Sequence, residues 1–491
     1  MVYLPHWPIP HTLGKCEIDY ESVFERMNLV LEKLDNPHKK LSPVIHISGT
    51  NGKGSCAALL AKIFSCAGYK THLLTSPHLH DCNERIILNG EKISDSELFC
   101  VMEEGRIAAE SFAPKIPLTF AEGFTIGALL AFAKNPADIV IIECGMGGRI
   151  DSTNIIEEKL ATIIMPISFD HMEYLGNSIE RIALEKAMIM RQKTPLIVAS
   201  QTTKALEIID ILAKDQQAPT YYFEQDFSVL MDEENGEFDF EFFGKNLEGY
   251  FENLPKPALA GSHQYINFAT AIAAILAIQD QKPNLFKIDE KHIRQGISNI
   301  FWPSRIEKVT NGLNKILQNE DSEIWIDGAH NEAGAFSLAR WIKSPTSASS
   351  NDYARIDKPI SPTSASSNDY ARIDPKGGSS EKEKMTFMIV GFSKGKCKKS
   401  FLEKFTNIAE EIVAVRVDGE PNPEKSQVIF EMIESLGIKS FAADDLLDAL
   451  YHIAKSVNHE PCRVVICGSL HLARDVKKFG NYNKLKIFSL L

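Results

Sequence analysis

Gly49-Thr50-Asn51-Gly52-Lys53-Gly54-Ser55 has the residue types that a polyphosphate requires. Glycines admit positive φ and let backbone amides approach phosphate oxygens, and a helix starting there adds partial positive charge. Lys53 would neutralise the β- and γ-phosphates, and the Ser55 hydroxyl is placed to ligate Mg²⁺. The spacing departs from G-x-x-x-x-G-K-[ST], because Gly54 separates Lys53 from Ser55. A simple glycine turn is the competing reading. Two other apolar runs also end in polar groups. Ile139–Glu143 closes on a carboxylate and leads into Cys144-Gly145-Met146-Gly147-Gly148-Arg149, while Ala161–Met165 leads into Ser168, Asp170 and His171. A strand-end carboxylate can simply cap a loop amide, but the glycine cluster beside Glu143 is unneeded for packing and favours a Mg²⁺ ligand. A lone histidine is more often structural. At such a strand end, however, a neutral imidazole ligates metal, and Asp170 stands next to it as a partner. Ser55, Glu143 and His171 are therefore expected to share one metal site.

These positions make sense only on a parallel sheet. Val44–Ile47 precedes the loop and Cys56–Ala61 opens a helix after it, giving the strand, glycine loop and helix order of a phosphate site. Further strands are expected at Lys70–Leu74, Ile139–Glu143, Ala161–Met165 and Leu196–Ala199, with helices between them. Open α/β sheets bind ligands at the carboxyl ends of such strands. Ser94 and Glu97 form a capping box for one helix, and another is expected over Ala121–Phe132. Asp232–Asn253 alternates Phe238, Phe240 and Phe242 with acids and reads as surface hairpin strands turning at Glu234-Asn235-Gly236. Strands resume near Glu323–Ile326, Phe387–Val390, Ile412–Val417 and Val464–Cys467. The expected fold is α/β: an N-terminal P-loop domain with a mostly parallel sheet, residues 1–300, plus a smaller C-terminal α/β domain, residues 301–491, divided near Phe301.

Bulk properties narrow the function. A chain of 491 residues has room for two to four domains, and no apolar run approaches the roughly 20 residues that span a bilayer. A net charge of −12 argues against a nucleic-acid partner. Nine scattered cysteines without C-x-x-C spacing read as reduced thiols, and the Pro- and His-rich start lacks a signal-peptide pattern, so cytoplasm is expected. Ser344–Asp357 recurs letter for letter at Ser361–Asp374, and the tract 344–380 reads as a disordered inserted loop. Arg181, Glu185, Lys186 and Arg191 read as a solvated helical face, and Arg149 and Asp151 as either a salt bridge or part of the site.

The loop resembles that of the Mur ligase superfamily, specifically its folylpolyglutamate synthase and dihydrofolate synthase branch. Several other segments follow in that family's order: Thr75-Ser76-Pro77-His78-Leu79 with Asn83–Ile86, Glu143–Arg149 with Asp151–Asn154, Asp170-His171, Glu185-Lys186-Ala187, His263 with Asn267, Trp302 with Arg305 and Glu307, Asp327-Gly328-Ala329-His330-Asn331, and Gly468–Leu472. The resemblance implies two domains with the active site in their cleft. It also implies the reaction: ATP phosphorylates a folate or pteroate carboxylate, and the amino group of L-glutamate attacks the acyl phosphate. Carried over by position, Ser55, Glu143 and His171 hold Mg²⁺, and Lys186 is a carbamylated lysine. Asn267, Arg305 and Asp327 contact ATP, with His330 near the γ-phosphate or the incoming amino acid. Thr75, Ser76, Pro77, His78 and Arg85 contact folate. Glu332, His471 and Ala121 depart from residues common in the family. The expected partners are small molecules, namely folate or dihydropteroate, L-glutamate and ATP, and a monomer is expected. A peptidoglycan Mur ligase, a P-loop regulator that binds nucleotide without ligating, and a degenerate ligase are the alternatives.

Overall fold

The computed structural model describes residues 21–232, 234–310, 312–343, 384–395, 398–418 and 422–482. The N-terminal residues 1–20 and the repeat tract 344–380, with the expectations placed on them, lie outside the described residues. Eight strands make the larger sheet: β1 Val44–Ser48, β2 Thr71–Leu74, β3 Ile86–Leu88, β4 Glu91–Lys92, β5 Ile139–Glu143, β6 Ala161–Ile164, β7 Leu196–Val198 and β8 Thr220–Tyr222. Their order is β4-β3-β2-β5-β1-β6-β7-β8. The run from β2 to β8 is parallel, and β3 and β4 form an antiparallel edge. Strand β1 sits between β5 and β6, where the chain changes its direction of travel across the sheet. Open sheets form their ligand crevice at such a point.

Alternate residues of these strands face opposite layers, as the period-2 pleat requires. Ile45, Ile47, Ile139 and Ile141 pack under the helices Lys53–Cys66, His263–Gln281 and Glu290–Asn299. Val44, Leu74, Val140 and Ile142 face Val23–Lys33, Asp95–Glu110 and Phe120–Lys134. Ser94 acts as the expected N-cap, accepting from the Glu97 amide, and Thr119 caps the helix Phe120–Lys134 in the same way, accepting from the Glu122 amide.

The hairpin region departs from the surface placement expected for it. Strands β9 Phe227–Met231, β10 Phe238–Phe243 and β11 Glu248–Leu254 form an antiparallel sheet of their own. Phe238, Phe240 and Phe242 are buried in the main apolar core with the helix His263–Gln281. Their alternation with acids marks one buried face rather than two wet ones. Truncating a ring there costs about 3–5 kcal/mol.

The smaller sheet contains β12 Glu307–Lys308, β13 Glu323–Ile326, β14 Met385–Val390, β15 Glu411–Ala414, β16 Ser440–Ala442 and β17 Cys462–Cys467, in the order β12-β13-β17-β14-β15-β16. All neighbours run parallel except β12 and β13. The short edge strands β12 and β16 carry no long apolar run, so no sequence pattern marked them.

The helix Glu332–Lys343 carries the chain to residue 343, and residue 384 resumes just before β14. Arg463 Nη1 donates to the Ile342 carbonyl at 3.4 Å, and its guanidinium lies over the Trp341 ring. Lys384 Nζ donates to the Asp321 carbonyl at 2.8 Å. Both ends of the intervening tract are thus fastened where β13 and β17 begin, whereas Asp327 follows the far end of β13. Replacing residues 346–381 by about eight Gly/Ser residues should preserve activity and raise stability by about 1 kcal/mol, since loop-closure entropy grows with length. A lower melting temperature or lost turnover in the shortened protein would contradict this.

Candidate active site

The three loop glycines each meet a different neighbour. Gly49 has φ +138°, and a Cβ there would lie 2.6 Å from Met165 Cβ. Gly52 has φ +84°, and its Cβ would lie 2.2 Å from Asn267 Oδ1. At Gly54 the neighbour is Trp302, with Nε1 at 2.9 Å from the Cβ position. The glycine that departs from the general P-loop spacing is therefore the one on which Trp302 packs.

The loop's hydrogen bonds divide its amides into those already used and those open to an anion. Thr50 and Asn51 donate their N–H groups to the Pro166 carbonyl at 2.9 and 3.3 Å. The Thr50 hydroxyl donates to the Ser168 carbonyl and accepts from its amide. The amides left for an anion are those of residues 52–55, which open the helix Lys53–Cys66 and precede its first i to i−4 bond, Cys56 to Gly52. Lys53 Nζ donates to the carbonyls of Gly49 and Thr50 at 3.1 and 3.0 Å. Ser55 is 1% exposed, and its hydroxyl has no hydrogen-bond partner. A buried hydroxyl costs roughly 1–3 kcal/mol when unpartnered, so its position favours a ligand.

Glu143 ends β5 directly beside β1, paired with Ile47. Both proposed roles of this carboxylate meet here. It accepts from the Ser76 amide at 3.3 Å, as a capping acid would. Burial also pushes its pKa up, opposed by Lys53, the Ser76 amide, Arg305 and Arg85. Behind it, Arg85 Nε donates to His78 Nδ1 at 2.9 Å, and its guanidinium lies over Phe120 and Phe124. Burial, then Arg85, holds the His78 pKa down to about 4, so the ring is neutral with its proton on Nε2. Thr75 is buried, and its amide donates to the Arg85 carbonyl. The segment 75–78 and Arg85 therefore form one unit at the end of β2.

Lys186 does not belong to a solvated face. It is 4% exposed, and Nζ donates to the Gly49 carbonyl at 2.9 Å. Burial, then the charge of Lys53, lowers its pKa to about 7. Its helix Ile179–Ala187 approaches the site because Gly148 has no side chain: a Cβ there would lie 2.7 Å from the Lys186 carbonyl. Arg191 is likewise turned inward, donating to the Asn154 carbonyl at 2.8 Å. Arg149 pairs with Glu21 and Glu185, and Asp151 caps the amides of Gly145, Met146 and Thr153. The two form no salt bridge with each other.

From the loop after β6, Asp170 reaches the smaller sheet. His330 Nε2 lies 3.2 Å from Asp170 Oδ2, and His171 Nε2 lies 3.8 Å from the same oxygen. The other ring nitrogen of His330 donates to the Gly328 carbonyl at 2.7 Å. Asn331 and Asn51 exchange two amide hydrogen bonds, at 3.0 and 3.1 Å. Asp327 accepts from the Ile306 and Ala329 amides at 2.9 and 2.7 Å, and burial pushes its pKa up against the charge of Arg305. Ser304 and Ile306, on either side of Arg305, have φ of 57° and 46°. Asn267 donates to Gln264 Oε1 and packs its own oxygen on Gly52.

Sequence reasoning did not find the Asn51–Asn331 pair or the Trp302–Gly54 contact. Neither has a local signature, because each joins residues about 250 or more positions apart. Among the described residues, no three His, Cys, Asp or Glu side chains by themselves make a metal site. Glu143 ends β5, Ser55 lies in the first turn of the helix that follows β1, and His171 lies seven residues past β6 beside Asp170; a set with so few protein ligands would suit Mg²⁺, which keeps waters and substrate phosphates in its shell. Gly54→Ala should destabilise the protein by about 1–3 kcal/mol by overpacking Trp302. Combining it with Trp302→Leu should give clearly less than the sum of the two losses in thermal denaturation; strict additivity would count against the contact.

Comparison with known proteins agrees with this geometry. Residues 47–275 match the Mur ligase middle domain. The chain is 35% identical over 334 residues to the dihydrofolate synthase/folylpolyglutamate synthase of Bacillus subtilis, covering 67% of this chain and 74% of that one. It is 28% identical over 465 residues to a probable dihydrofolate synthetase of Schizosaccharomyces pombe, covering 93% and 97%. The structure of Escherichia coli FolC in complex with DHPP and ADP superposes with a TM-score of 0.75 at 25% identity, covering 94% of this chain and 93% of that one. A glycine loop after β1, a mostly parallel sheet with Glu143 at the end of β5, and a smaller sheet with Asp327 after β13 thus accompany these similarities, and the chain belongs to the dihydrofolate synthase/folylpolyglutamate synthase family of Mur ligases.

Proposed function

We propose that the chain adds L-glutamate to a folate carboxylate at the expense of ATP, through an acyl phosphate, and that dihydropteroate is a second acceptor. The observation that carries this reading is the Ser55 hydroxyl, buried without a partner at the mouth of a helix whose first amides are open, with buried Glu143 at the next strand end. The names of the relatives support both acceptors. The Schizosaccharomyces pombe relative, matched over nearly its whole length, is named for dihydrofolate synthesis and lends weight to dihydropteroate.

A carboxylate is a poor electrophile that the phosphates of ATP repel, so the site must offset charge and hold the reactants in line. Residues 49–55 are assigned to ATP, with Lys53 turning from its loop carbonyls toward the phosphates. Asn267, Arg305 and Asp327 are assigned to the same nucleotide. Asp327 already bonds two amides, so its part includes fixing the Arg305 segment. Ser55, Glu143 and His171 are assigned to Mg²⁺, which when bound offsets phosphate charge and polarises the transferring group. Thr75, Ser76, Pro77, His78 and Arg85 are assigned to the acceptor. The paired Arg85 and neutral His78 offer donors beside the rings of Phe120 and Phe124. His330 faces the γ-phosphate or the incoming glutamate.

The thiols have no part in this scheme. Cys56, Cys144, Cys462 and Cys467 are buried, and burial raises the pKa of each, that of Cys144 to about 12. Residues 1–300 and 301–491 are read as two domains around a cleft, and the protein as a cytoplasmic monomer. No helix of the described residues is long and apolar enough to cross a membrane.

Lys186 is assigned as a carbamate. CO₂ reacts with a neutral amine, and a pKa near 7 leaves much of this amine neutral at pH 7.5, where an ordinary lysine is almost wholly charged. A carbamate changes the cation into a carboxylate-like metal ligand. With ¹³C-bicarbonate, the wild type should show one slowly exchanging carbamate signal that Lys186→Ala lacks, and Lys186→Ala should lose about 100-fold or more in turnover, as for loss of a group acting on transition-state charge. Full activity in Lys186→Ala would exclude the assignment. In glutamate incorporation assays, ADP release should require both L-glutamate and either tetrahydrofolate or dihydropteroate, and Lys53→Ala should abolish it. Equal ATPase activity without either co-substrate would sink the ligase reading.

A further inference from the structure

We infer that Asn51 and Asn331 form a positioning pair through which the occupied phosphate loop sets His330 in place. The inference rests on the ligase reading above. Asn51 Nδ2 donates to Asn331 Oδ1 at 3.1 Å, and Asn331 Nδ2 donates back to Asn51 Oδ1 at 3.0 Å. A two-bond amide pair fixes distance and plane together, as a single bond does not. Asn331 is 5% exposed, and its amide is fully used. Its oxygen also accepts from the Gly334 amide at 2.9 Å, capping the helix Glu332–Lys343, and its nitrogen lies 3.4 Å from Asp170 Oδ2. The Asn331 side chain is therefore rigidly joined to that helix and to the peptide that carries His330.

The other end is equally constrained. Asn51 stands between Thr50, whose amide and hydroxyl are bonded to the segment after β6, and Gly52, which opens the phosphate-loop helix. Any shift of residues 49–52 on taking up a polyphosphate moves Asn51, and through it residues 328–334 of the smaller sheet. Asp170 supplies a parallel tether, touching both His330 and Asn331. Two tethers, one an uncharged amide pair and one a carboxylate, thus hold Asn331 to the loop after β1 and the His330 imidazole to the segment after β6. The Asn51 side chain gives one N–H and one lone pair of its oxygen to Asn331, and its backbone remains part of the loop.

Three variants separate this role from a structural one. Asn51→Ala removes the pair. Asn331→Ser keeps a competent helix cap but is too short to reach Asn51. The third combines both. Each single variant should lower kcat for glutamate incorporation about tenfold, the scale of a lost buried hydrogen-bonded pair. ATP affinity of Asn331→Ser should stay within about twofold, and the double variant should be no slower than the slower single one, as for residues that act only through each other. In hydrogen exchange, ATP should protect residues 328–334 in the wild type and not in Asn51→Ala. Additive losses in kcat, a fall in ATP affinity of Asn331→Ser matching its fall in kcat, or unchanged ATP-induced protection in Asn51→Ala would each overturn the pairing. If the wild type incorporates no glutamate, the ligase reading fails instead, and the exchange experiment still decides the pair.

Discussion

Two ammonium groups share one peptide oxygen at the centre of this molecule. Lys53 and Lys186 both donate to the Gly49 carbonyl, at 3.1 and 2.9 Å. Like charges this close, one buried and one half-buried, are costly unless an anion joins them or one gives up its proton. Burial and Lys53 together lower the Lys186 pKa to about 7, so the protein meets the cost in part by neutralising the amine. Much of the surrounding structure serves to bring these two lysines together. Gly148 allows the Lys186 helix to approach, Pro166 holds the loop backbone, and the parallel register places Glu143 beside β1.

Close packing rather than hydrogen bonding alone gives the loop its shape. Gly49, Gly52 and Gly54 press on Met165, Asn267 and Trp302, from the neighbouring strand end, a crossing helix and the segment entering the smaller sheet. That segment carries local strain. Ser304 and Ile306 adopt positive φ, at a cost of order 1–3 kcal/mol each, and for a β-branched residue such as Ile306 the conformation is rare. The Asp327 carboxylate holds the Ile306 amide, and Glu307 holds the Ser304 amide at 2.7 Å. Arg305 lies between these two anchored positions, and its Nη1 donates to the Ser304 carbonyl at 2.9 Å.

Buried acids divide by what they touch. Glu122 caps its own helix and pairs with Arg26 at 2.7 Å, and Asp151 is occupied by three amides, so both hold architecture. Glu143 has one amide partner at 3.3 Å while sensing three cations, which leaves its oxygens available to a further ligand. The distinction separates a carboxylate that fixes a turn from one suited to a metal. It depends on neighbours brought from four parts of the chain.

The sequence by itself determined everything that local chemistry encodes. Apolar runs gave β1, β5, β6 and β7 to within a residue or so, because a buried parallel strand needs little beyond a short β-branched stretch. Ser94 with Glu97 fixed a helix start, because a capping box closes within one turn. The glycine loop was readable because its residues lie within one turn of one another, whereas the Asp327–Asn331 motif was legible only through the family resemblance. Tertiary structure alone decided the rest. It turned Lys186 inward from an apparently solvated helix, buried the phenylalanine face of β10, set Trp302 on Gly54 and joined Asn51 to Asn331. Each of these is a contact between segments far apart in the chain. Its energy belongs to neither segment alone, so neither carries a pattern that announces it.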